Sequence, residues 1–393
     1  MKDVVILDGA RTAIGTFGGS LAGTPPSELA TAVAREAMVR SGVEPGQIGA
    51  SVFGHVINTE AKDMYMGRVA AVNAGVPEEA TGLTVNRLCG SGAQAIVNAA
   101  QHIMLGDVDY ALAGGAESMS RSPHITQSIR TGQKMGDVSF SDMMIGALSD
   151  PFGVGHMGVT AENVAAENQI TREQQDAFAV ESQRRAAAAV EAGYFENQIL
   201  PIEVKVRREM VPFATDEHIK AGTTMESLGK LRPAFKKDGS VTAGNASGIN
   251  DGAAALVLAS ADAAEAAGLK PRARLLGYAI AGVRHEVMGM GPIPAVTQLL
   301  NRIDMTPDQF DVIESNEAFA AQACAVNAAL GLDTDKVNPN GGAIALGHPI
   351  GATGAIISIK TLYELERIGG QYGLVTMCIG GGQGIALAFE RLN

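Results

Sequence analysis

The segments CGSGAQAI (89–96) and HPIGATGAI (348–356) share one pattern although they lie in opposite halves of the chain. Each begins with a chemically reactive side chain and has a glycine three residues later, at Gly92 and Gly351. Each then continues into an alanine-rich stretch with helical character. The pattern predicts that each half starts a helix next to a reactive side chain, where backbone N–H groups are free.

The similarity extends to the neighbouring segments. Upstream, SGVEPGQIGASVFG (41–54) resembles IDMTPDQFDVIESN (303–316), because both place Pro-x-Gln-apolar between a helix-like and a β-like run. Downstream, the strand-like run YALAGGAE (110–117) contains two consecutive glycines, and LVTMCIGGG (374–382) ends in three. Chance similarity between Ala/Gly-rich segments would not preserve this order, so we predict a duplicated α/β unit.

The residues between the two copies interrupt the repeat. They include one clear helix, 171–193, with Thr171 as N-cap and Gly193 at its end. A long insertion in a compact α/β protein is commonly a binding lid. We therefore predict three units: an N-terminal half of residues 1–118 plus 250–272, an inserted loop domain of residues 119–249, and a C-terminal half of residues 273–393.

Composition argues against several classes of function. The 30 Lys and Arg against 42 Asp and Glu give a net charge of −12, which disfavours nonspecific nucleic-acid binding. No apolar run is long enough to span a membrane, and Asp3 and Asp8 interrupt what would be the core of an export signal. The cysteines are too few for a disulfide framework, lack the spacing of a metal site and suit a reducing, cytoplasmic setting.

Cys89 and His348 are the first candidates for chemistry. Cys89 precedes Gly-Ser-Gly and a helix, where free N–H groups and the helix dipole favour a thiolate. A cysteine in that place alone is more often a small buried residue. His348 holds the matching position in the second copy, so pseudo-twofold symmetry would bring both to one site as a Cys–His nucleophile. A histidine kept for turn geometry is the alternative.

Two further segments carry candidate groups. Cys378 ends an apolar strand, and a second thiol with an ordinary pKa of about 8.5 can transfer protons, while the N–H of Gly380 can stabilise an oxyanion. A buried strand cysteine is the alternative. In ESNEAFA, Asn316 can hold a water, whereas capping of a helix explains Glu317. We assign Cys324 to the core.

Together these segments resemble the signature blocks of the thiolase family. The likeness rests on NRLCGSG (86–92), NEAFA (316–320), GGAIALGHPIGATG (341–354), CIGGGQG (378–384), RTAIGTFGGSL (11–21), GGAESMS (114–120), HMGVTAEN (156–163) and TAGNASGINDGAAA (242–255). The blocks follow the family order from end to end. The likeness is greatest to bacterial-type biosynthetic and broad-specificity β-ketothiolases.

The resemblance implies an α/β fold with a duplicated αβαβα five-layered core and a loop domain over the site. It implies that Cys89 is acylated, that His348 activates it, and that Cys378 is the general acid and base. The reaction would be a reversible, ping-pong condensation of acetyl-CoA with a short acyl-CoA. One oxyanion hole would use the N–H groups of Cys89 and Gly380, and the other would use His348 with a water held by Asn316.

The resemblance also implies the ligands and the assembly. Acetyl-CoA, acyl-CoA and 3-ketoacyl-CoA would be substrates, with no tightly bound cofactor and no metal. A homotetramer, a dimer of dimers, is implied, with residues 119–145 as the contact loop, although a dimer stays open. Relatives often carry an arginine where Lys220 stands, and a lysine lacks its bidentate fork. The implied CoA-binding residues are His156, Met157, Lys220, Ser227, Phe235, Ala243, Ser247, Met288, Ala318 and Phe319.

Two alternatives stay open. A condensing enzyme of the carrier-protein synthase kind pairs its nucleophile with two histidines, or with a histidine and an asparagine, so Cys378 favours a thiolase. A noncatalytic acyl-CoA carrier would lack at least one reactive residue, and none is missing. Chain-length preference is open as well, because one methylene changes binding by only about 1 to 3 kcal/mol.

Overall fold

The computed structural model describes residues 1–392. Its strands are β1 Val4–Thr12, β2 Gly15–Thr16, β3 Ala50–Gly54, β4 Thr81–Val85, β5 Tyr110–Ser118, β6 His124–Ile125, β7 Ser141–Asp142, β8 Ser149–Asp150, β9 Gly155–His156, β10 Ile199–Leu200, β11 Ile202–Val206, β12 Glu209–Phe213, β13 Asn250–Ser260, β14 Ala273–Gly282, β15 Val312–Ser315, β16 Tyr372–Ile379 and β17 Gln383–Arg391. Its α-helices are α1 Pro26–Ser41, α2 Met66–Asn73, α3 Ser91–Leu105, α4 Ser128–Thr131, α5 Met143–Ala147, α6 Met157–Glu167, α7 Arg172–Glu191, α8 Met225–Gly229, α9 Ala261–Ala266, α10 Pro292–Ile303, α11 Ala320–Leu330, α12 Ala343–Leu346 and α13 Thr353–Ile368. None of the helices in this range is both long and apolar enough to cross a bilayer.

The strand order confirms the predicted duplication. The main sheet runs β15-β16-β17-β14-β1-β13-β5-β3-β4, so the four strands of the C-terminal half mirror β3, β5, β13 and β1. In each half a long strand lies antiparallel between two neighbours, and the next strand beyond is parallel. The halves join where Val5 pairs with Arg274 and Ile6 with Ala273.

The repeated Pro-x-Gln motif has a physical role in each copy. It forms a short 3-10 helix between a long helix and a strand, at Pro45–Gln47 and Pro307–Gln309. Gln47 Oε1 accepts a hydrogen bond from the backbone N–H of Glu44 at 3.0 Å, and Gln309 does the same for Thr306 at 2.8 Å. The glutamine therefore satisfies an N–H that the start of the short helix leaves free.

The layers follow from the apolar faces of the strands. One face of both halves packs on the central helices α3 and α13, whose buried residues include Ile96 and Ile356. The opposite faces pack on outer helices, with Leu29 of α1 on one side and Leu299 of α10 on the other. Helix, strands, central helices, strands and helix give the predicted αβαβα arrangement. The central helices approach so closely that a Cβ on Gly92 would lie only 2.7 Å from the N atom of Ala355.

The segment between β5 and β13 contains α4 to α8 and three small two-stranded sheets. The predicted helix is confirmed as α7, where the side chain of Thr171 accepts from the N–H of Gln174 and Gly193 follows with φ 73°. The division at 118/119, 249/250 and 272/273 stays a prediction. β5 ends at Ser118, β13 begins at Asn250 and β14 begins at Ala273.

Candidate active site

A cavity of about 550 Å³ lies between the ends of elements from both halves and the inserted segment. Residues far apart in sequence line it. Those predicted from the sequence are Cys89, His156, Met157, Lys220, Phe235, Ala243, Ser247, Met288, Ala318, Phe319, His348 and Gly380.

A strained turn presents Cys89 at the start of α3. The preceding residue, Leu88, has φ 44°, a left-handed conformation that is rare for a non-glycine residue and often found at functional sites. Ser91 holds the turn, since its Oγ accepts from the N–H of Arg87 at 2.9 Å and donates to the carbonyl of Leu88 at 2.7 Å. The N–H of Gly380 donates to the sulfur of Cys89. The turn therefore joins the start of α3 to the β16–β17 loop.

Cys89 is a thiol in the resting site. Its pKa is raised to about 11, mainly by burial and to a smaller extent by the charge of Glu117, while the N–H of Gly380 acts in the opposite direction. The thiolate expected from the position before a helix is therefore not the resting form. Desolvation raises the pKa of Cys89 by more than the N–H groups and the helix dipole lower it. Attack on a substrate then requires a base.

His348 has the protonation state of such a base. Its Nδ1 lies 2.7 Å from Thr353 Oγ1, and that hydroxyl donates to the carbonyl of Pro349 at 3.0 Å. The hydroxyl must then accept from Nδ1–H, which leaves the lone pair of the neutral ring on Nε2. Nε2 is buried and has no protein partner. Burial lowers the pKa of His348 to about 4, so the ring is neutral near pH 7.

Cys378 and Asn316 lie behind the cavity wall rather than on it. Cys378 is fully buried on β16 and packs with Met157, Met288 and Phe319, which do line the cavity. Burial raises its pKa, and the charge of Cys89 raises it further. Asn316 follows β15, is buried, and has no protein partner for either atom of its side-chain amide.

The inserted segment supplies an aromatic wall. His156 caps α6, because its Nδ1 accepts from the N–H of Gly158 at 3.0 Å. Its ring stacks on Phe235, with 4.7 Å between the ring centroids, and Phe235 meets Phe319 edge-on at 6.1 Å. The wall is apolar, and Ser247 and Lys220 are the polar residues near it that were predicted from the sequence.

Sequence reasoning and structure differ at the edges of the cavity. Ser227 is exposed on α8 and does not line the cavity, and its Oγ donates to the carbonyl of Thr224. Most of the other lining residues lie inside the sequence blocks quoted above, whereas Ala147, Leu148, His218 and Ala234 lie outside them. His218 was the most recognisable of them, two residues before Lys220. The residues not predicted are Thr16, Phe17, Leu88, Met119, Ala147, Leu148, His218, Ala234, Ala246, Gly248, Ile249 and Ile350.

Two other features among residues 1–392 offer no comparable site. A groove of about 580 Å³ is lined by Arg40, Arg272 and Arg367, but carboxylates pair with each of these arginines. Within the same range no group of three or more His, Cys, Asp or Glu side chains is arranged to hold a metal ion.

Comparisons with known proteins agree on one family. The family model for the thiolase N-terminal domain matches residues 4–262, and that for the thiolase C-terminal domain matches residues 269–391. The chain is 59% identical to a beta-ketothiolase, BktB, of Cupriavidus necator and 50% identical to an acetyl-CoA acetyltransferase of Allochromatium vinosum, each over the full length of both chains. Among solved structures, the Bacillus anthracis acetyl-CoA acetyltransferase superposes with a TM-score of 0.97 at 47% identity, covering 100% of this chain and 99% of that one. Human mitochondrial 3-ketoacyl-CoA thiolase in complex with CoA gives 0.96 at 41% identity, covering 100% and 98%.

Proposed function

This chain belongs to the thiolase family, and we propose that it uses Cys89, His348 and Cys378 to make and break the carbon–carbon bond of short 3-ketoacyl-CoA thioesters. It is an acyltransferase that condenses acetyl-CoA with an acyl-CoA and runs the reverse thiolysis. One observation supports the residue assignment above the others. The Cys89 thiol and the neutral His348 ring, whose Nε2 has no protein partner, line the same cavity.

The first half-reaction acylates Cys89. His348 Nε2 takes the proton of the thiol as the sulfur attacks the thioester carbon of the acyl-CoA. A bond forms between Cys89 Sγ and the acyl carbon, the bond from that carbon to the CoA sulfur breaks, and the proton passes from His348 to the leaving CoA thiolate. The high pKa of Cys89 makes this step dependent on His348.

The second half-reaction forms the carbon–carbon bond. Cys378 passes its thiol proton to the neutral His348 ring and, as a thiolate, removes a proton from the methyl carbon of acetyl-CoA. That carbon attacks the acyl group, the bond from the acyl carbon to Cys89 breaks, and the leaving Cys89 thiolate takes the proton held by His348. Burial raises the pKa of Cys378, and an ionised Cys89 would raise it further. An acylated Cys89 cannot ionise, so the two sulfurs do not carry charge at the same time in this half-reaction.

Two groups of donors would stabilise the oxyanions. The N–H groups of Cys89 and Gly380 serve the acyl-enzyme, since the N–H of Gly380 already donates to the Cys89 sulfur. His348 and a water held by Asn316 serve the enolate of the second substrate. The two unpaired amide atoms of Asn316 support this role. Losing one such donor typically lowers the rate by about 100- to 1,000-fold.

CoA is a substrate here and would enter along the aromatic wall. The pantetheine arm would contact Ser247, Ala243 and Ala318. Lys220 is exposed at the cavity edge and would meet a phosphate as a point charge. Ser227 lies beyond the cavity wall and would contact only the outer, nucleotide end. His156, Met157, Phe235, Met288 and Phe319 would form the apolar sides of the channel.

The experiment that tests this function is thiolysis of acetoacetyl-CoA and 3-ketovaleryl-CoA with CoA by the wild-type protein. We expect turnover of both, because a relative at 59% identity is a beta-ketothiolase. The ratio of the two rates assigns the chain-length class. If the folded protein cleaves neither these nor longer 3-ketoacyl-CoA thioesters, the carrier-protein synthase or acyl-CoA carrier alternative replaces the thiolase assignment.

We also propose a cytoplasmic homotetramer, a dimer of dimers in which residues 119–145 form the contact loop. This loop exposes large apolar side chains, among them Ile129 at 67%, Met135 at 88% and Phe140 at 56%. Apolar groups exposed to this degree in one segment are typical of an interaction surface. Light scattering should give a mass of four chains of 40.5 kDa each. A mass of one chain would contradict the proposal, and a mass of two would limit it to a dimer.

A further inference from the structure

Glu117 is a fully buried carboxylate at the end of β5 that the mechanism above does not use. We propose that Glu117 is a positioning residue that fixes the loop carrying His348 relative to the start of α3, where Cys89 stands. The inference rests on the proposed function of those two residues. Glu117 does not line the cavity, so it acts through its neighbours rather than on substrate.

Three backbone N–H groups converge on the Glu117 carboxylate. Oε2 accepts from Gly351 at 2.9 Å and from Val56 at 3.1 Å, and Oε1 accepts from Ile57 at 3.1 Å. Burial raises the pKa of Glu117, whereas the facing His55 and the three N–H donors act in the opposite direction and favour the ionised carboxylate. The side chain therefore links the loop after β3 to the loop before α13, in which His348 stands three residues before Gly351.

The junction around Glu117 is packed at backbone contact. A Cβ on Gly351 would lie 2.5 Å from Glu117 Oε2, and a Cβ on Gly54 would lie 2.7 Å from the carbonyl oxygen of Gly351. A Cβ on Gly92, at the start of α3, would lie 3.2 Å from the same oxygen. Because only glycines fit here, the ends of β3 and the starts of α3 and α13 have little freedom. The Glu117 carboxylate is therefore part of the contact that sets the position of the loop carrying His348.

The same carboxylate also affects the Cys89 thiol. Burial is the main cause of the raised pKa of Cys89, and the negative charge of an ionised Glu117 adds to it. His55 faces Glu117, with its Nδ1 3.6 Å from Oε1 of Glu117. On the other side of the His55 ring, Asp63 Oδ2 lies 3.8 Å from Nε2 of His55. A thiol of high pKa resists alkylation and oxidation at rest, because little of it is ionised. Once His348 has taken the proton, the thiolate is a stronger nucleophile, because nucleophilicity rises with the pKa of the thiol.

The test combines two measurements on Glu117→Gln. The amide keeps the shape but removes the charge, and it cannot accept all three N–H bonds. We expect kcat for acetoacetyl-CoA thiolysis to fall by about 100-fold with little change in KM, because misplacing a reacting group by about 1 Å has an effect of that size. We expect Cys89 to react with iodoacetamide at least about threefold faster near pH 8, because its pKa falls without the carboxylate. Mass spectrometry identifies Cys89 as the alkylated residue.

Two further variants separate positioning from charge and from stability. Glu117→Asp keeps the charge but shortens the side chain, so kcat should fall while the alkylation rate stays at the wild-type value. Glu162→Gln is the matched control, because Glu162 is another buried carboxylate that accepts backbone N–H groups, from Ser240 and Val241. It should leave the alkylation rate unchanged. The proposal is overturned if Glu117→Gln keeps both wild-type values, or if Glu162→Gln changes the alkylation rate equally.

Failure of this inference can be told apart from failure of the proposed function. Wild-type turnover tests the function, whereas alkylation needs no turnover and measures only the influence of Glu117 on Cys89. If Glu117→Gln does not fold, Glu117→Asp still tests the positioning role. A kcat equal to wild type in Glu117→Asp would contradict the positioning role.

Discussion

Replacing Cys89 by alanine should lower thiolysis of acetoacetyl-CoA by about four orders of magnitude or more. The covalent route is lost, and removing one member of a nucleophile–base unit abolishes nearly all that the unit contributes. Steady-state assays give the rate. Mass spectrometry after incubation with acetyl-CoA should show an added acetyl group on the wild-type chain and none on the variant.

Cys324→Ala is the matched control for this prediction. Cys324 is the one cysteine of the chain to which no reactive role is assigned. It is half-buried on α11 and does not line the cavity. Its loss should leave the rate and the acetyl adduct unchanged. An acetyl adduct that persists in Cys89→Ala but disappears in Cys324→Ala would place the nucleophile on α11 and refute the assignment of Cys89.

Replacing Cys378 by alanine should lower both thiolysis and condensation by about 100- to 10,000-fold, the usual contribution of a general acid or base. The first half-reaction should survive, because Cys89 and His348 remain in place. Incubation with acetyl-CoA should therefore still release CoA and leave an acetyl-enzyme that does not go on to acetoacetyl-CoA. Rapid mixing with a thiol reagent measures the released CoA.

The fate of the acyl-enzyme distinguishes a proton-transfer role from a packing role. Cys378 packs with Met157, Met288 and Phe319, so alanine could loosen the cavity wall. Cys378→Ser keeps the approximate size but replaces the thiol by a hydroxyl, which titrates far above a thiol. This variant should therefore be as slow as the alanine variant if proton transfer is the role. A serine variant with wild-type turnover, or an alanine variant that no longer acetylates Cys89, would show that Cys378 only supports the wall.

Much of the fold could be predicted from repeated local patterns. The Pro-x-Gln motif recurs because each glutamine caps a 3-10 helix between a long helix and a strand, and Gly92 recurs as Gly351 because both lie where backbones touch. The outer limits of the cavity could not be predicted. Residues such as Leu148 and Ala234 are ordinary apolar side chains outside the recognised sequence blocks, and only packing brings them to the cavity.

The sequence by itself determined which side chains could react, because Cys89 and His348 occupy matching places in two copies of one unit. Only the tertiary structure decided how they are charged. The position before a helix predicts a thiolate, yet burial makes Cys89 a thiol and keeps His348 neutral. The physical reason is that protonation depends on desolvation and on charges brought near by the fold. Both are properties of neighbours that lie far away along the chain.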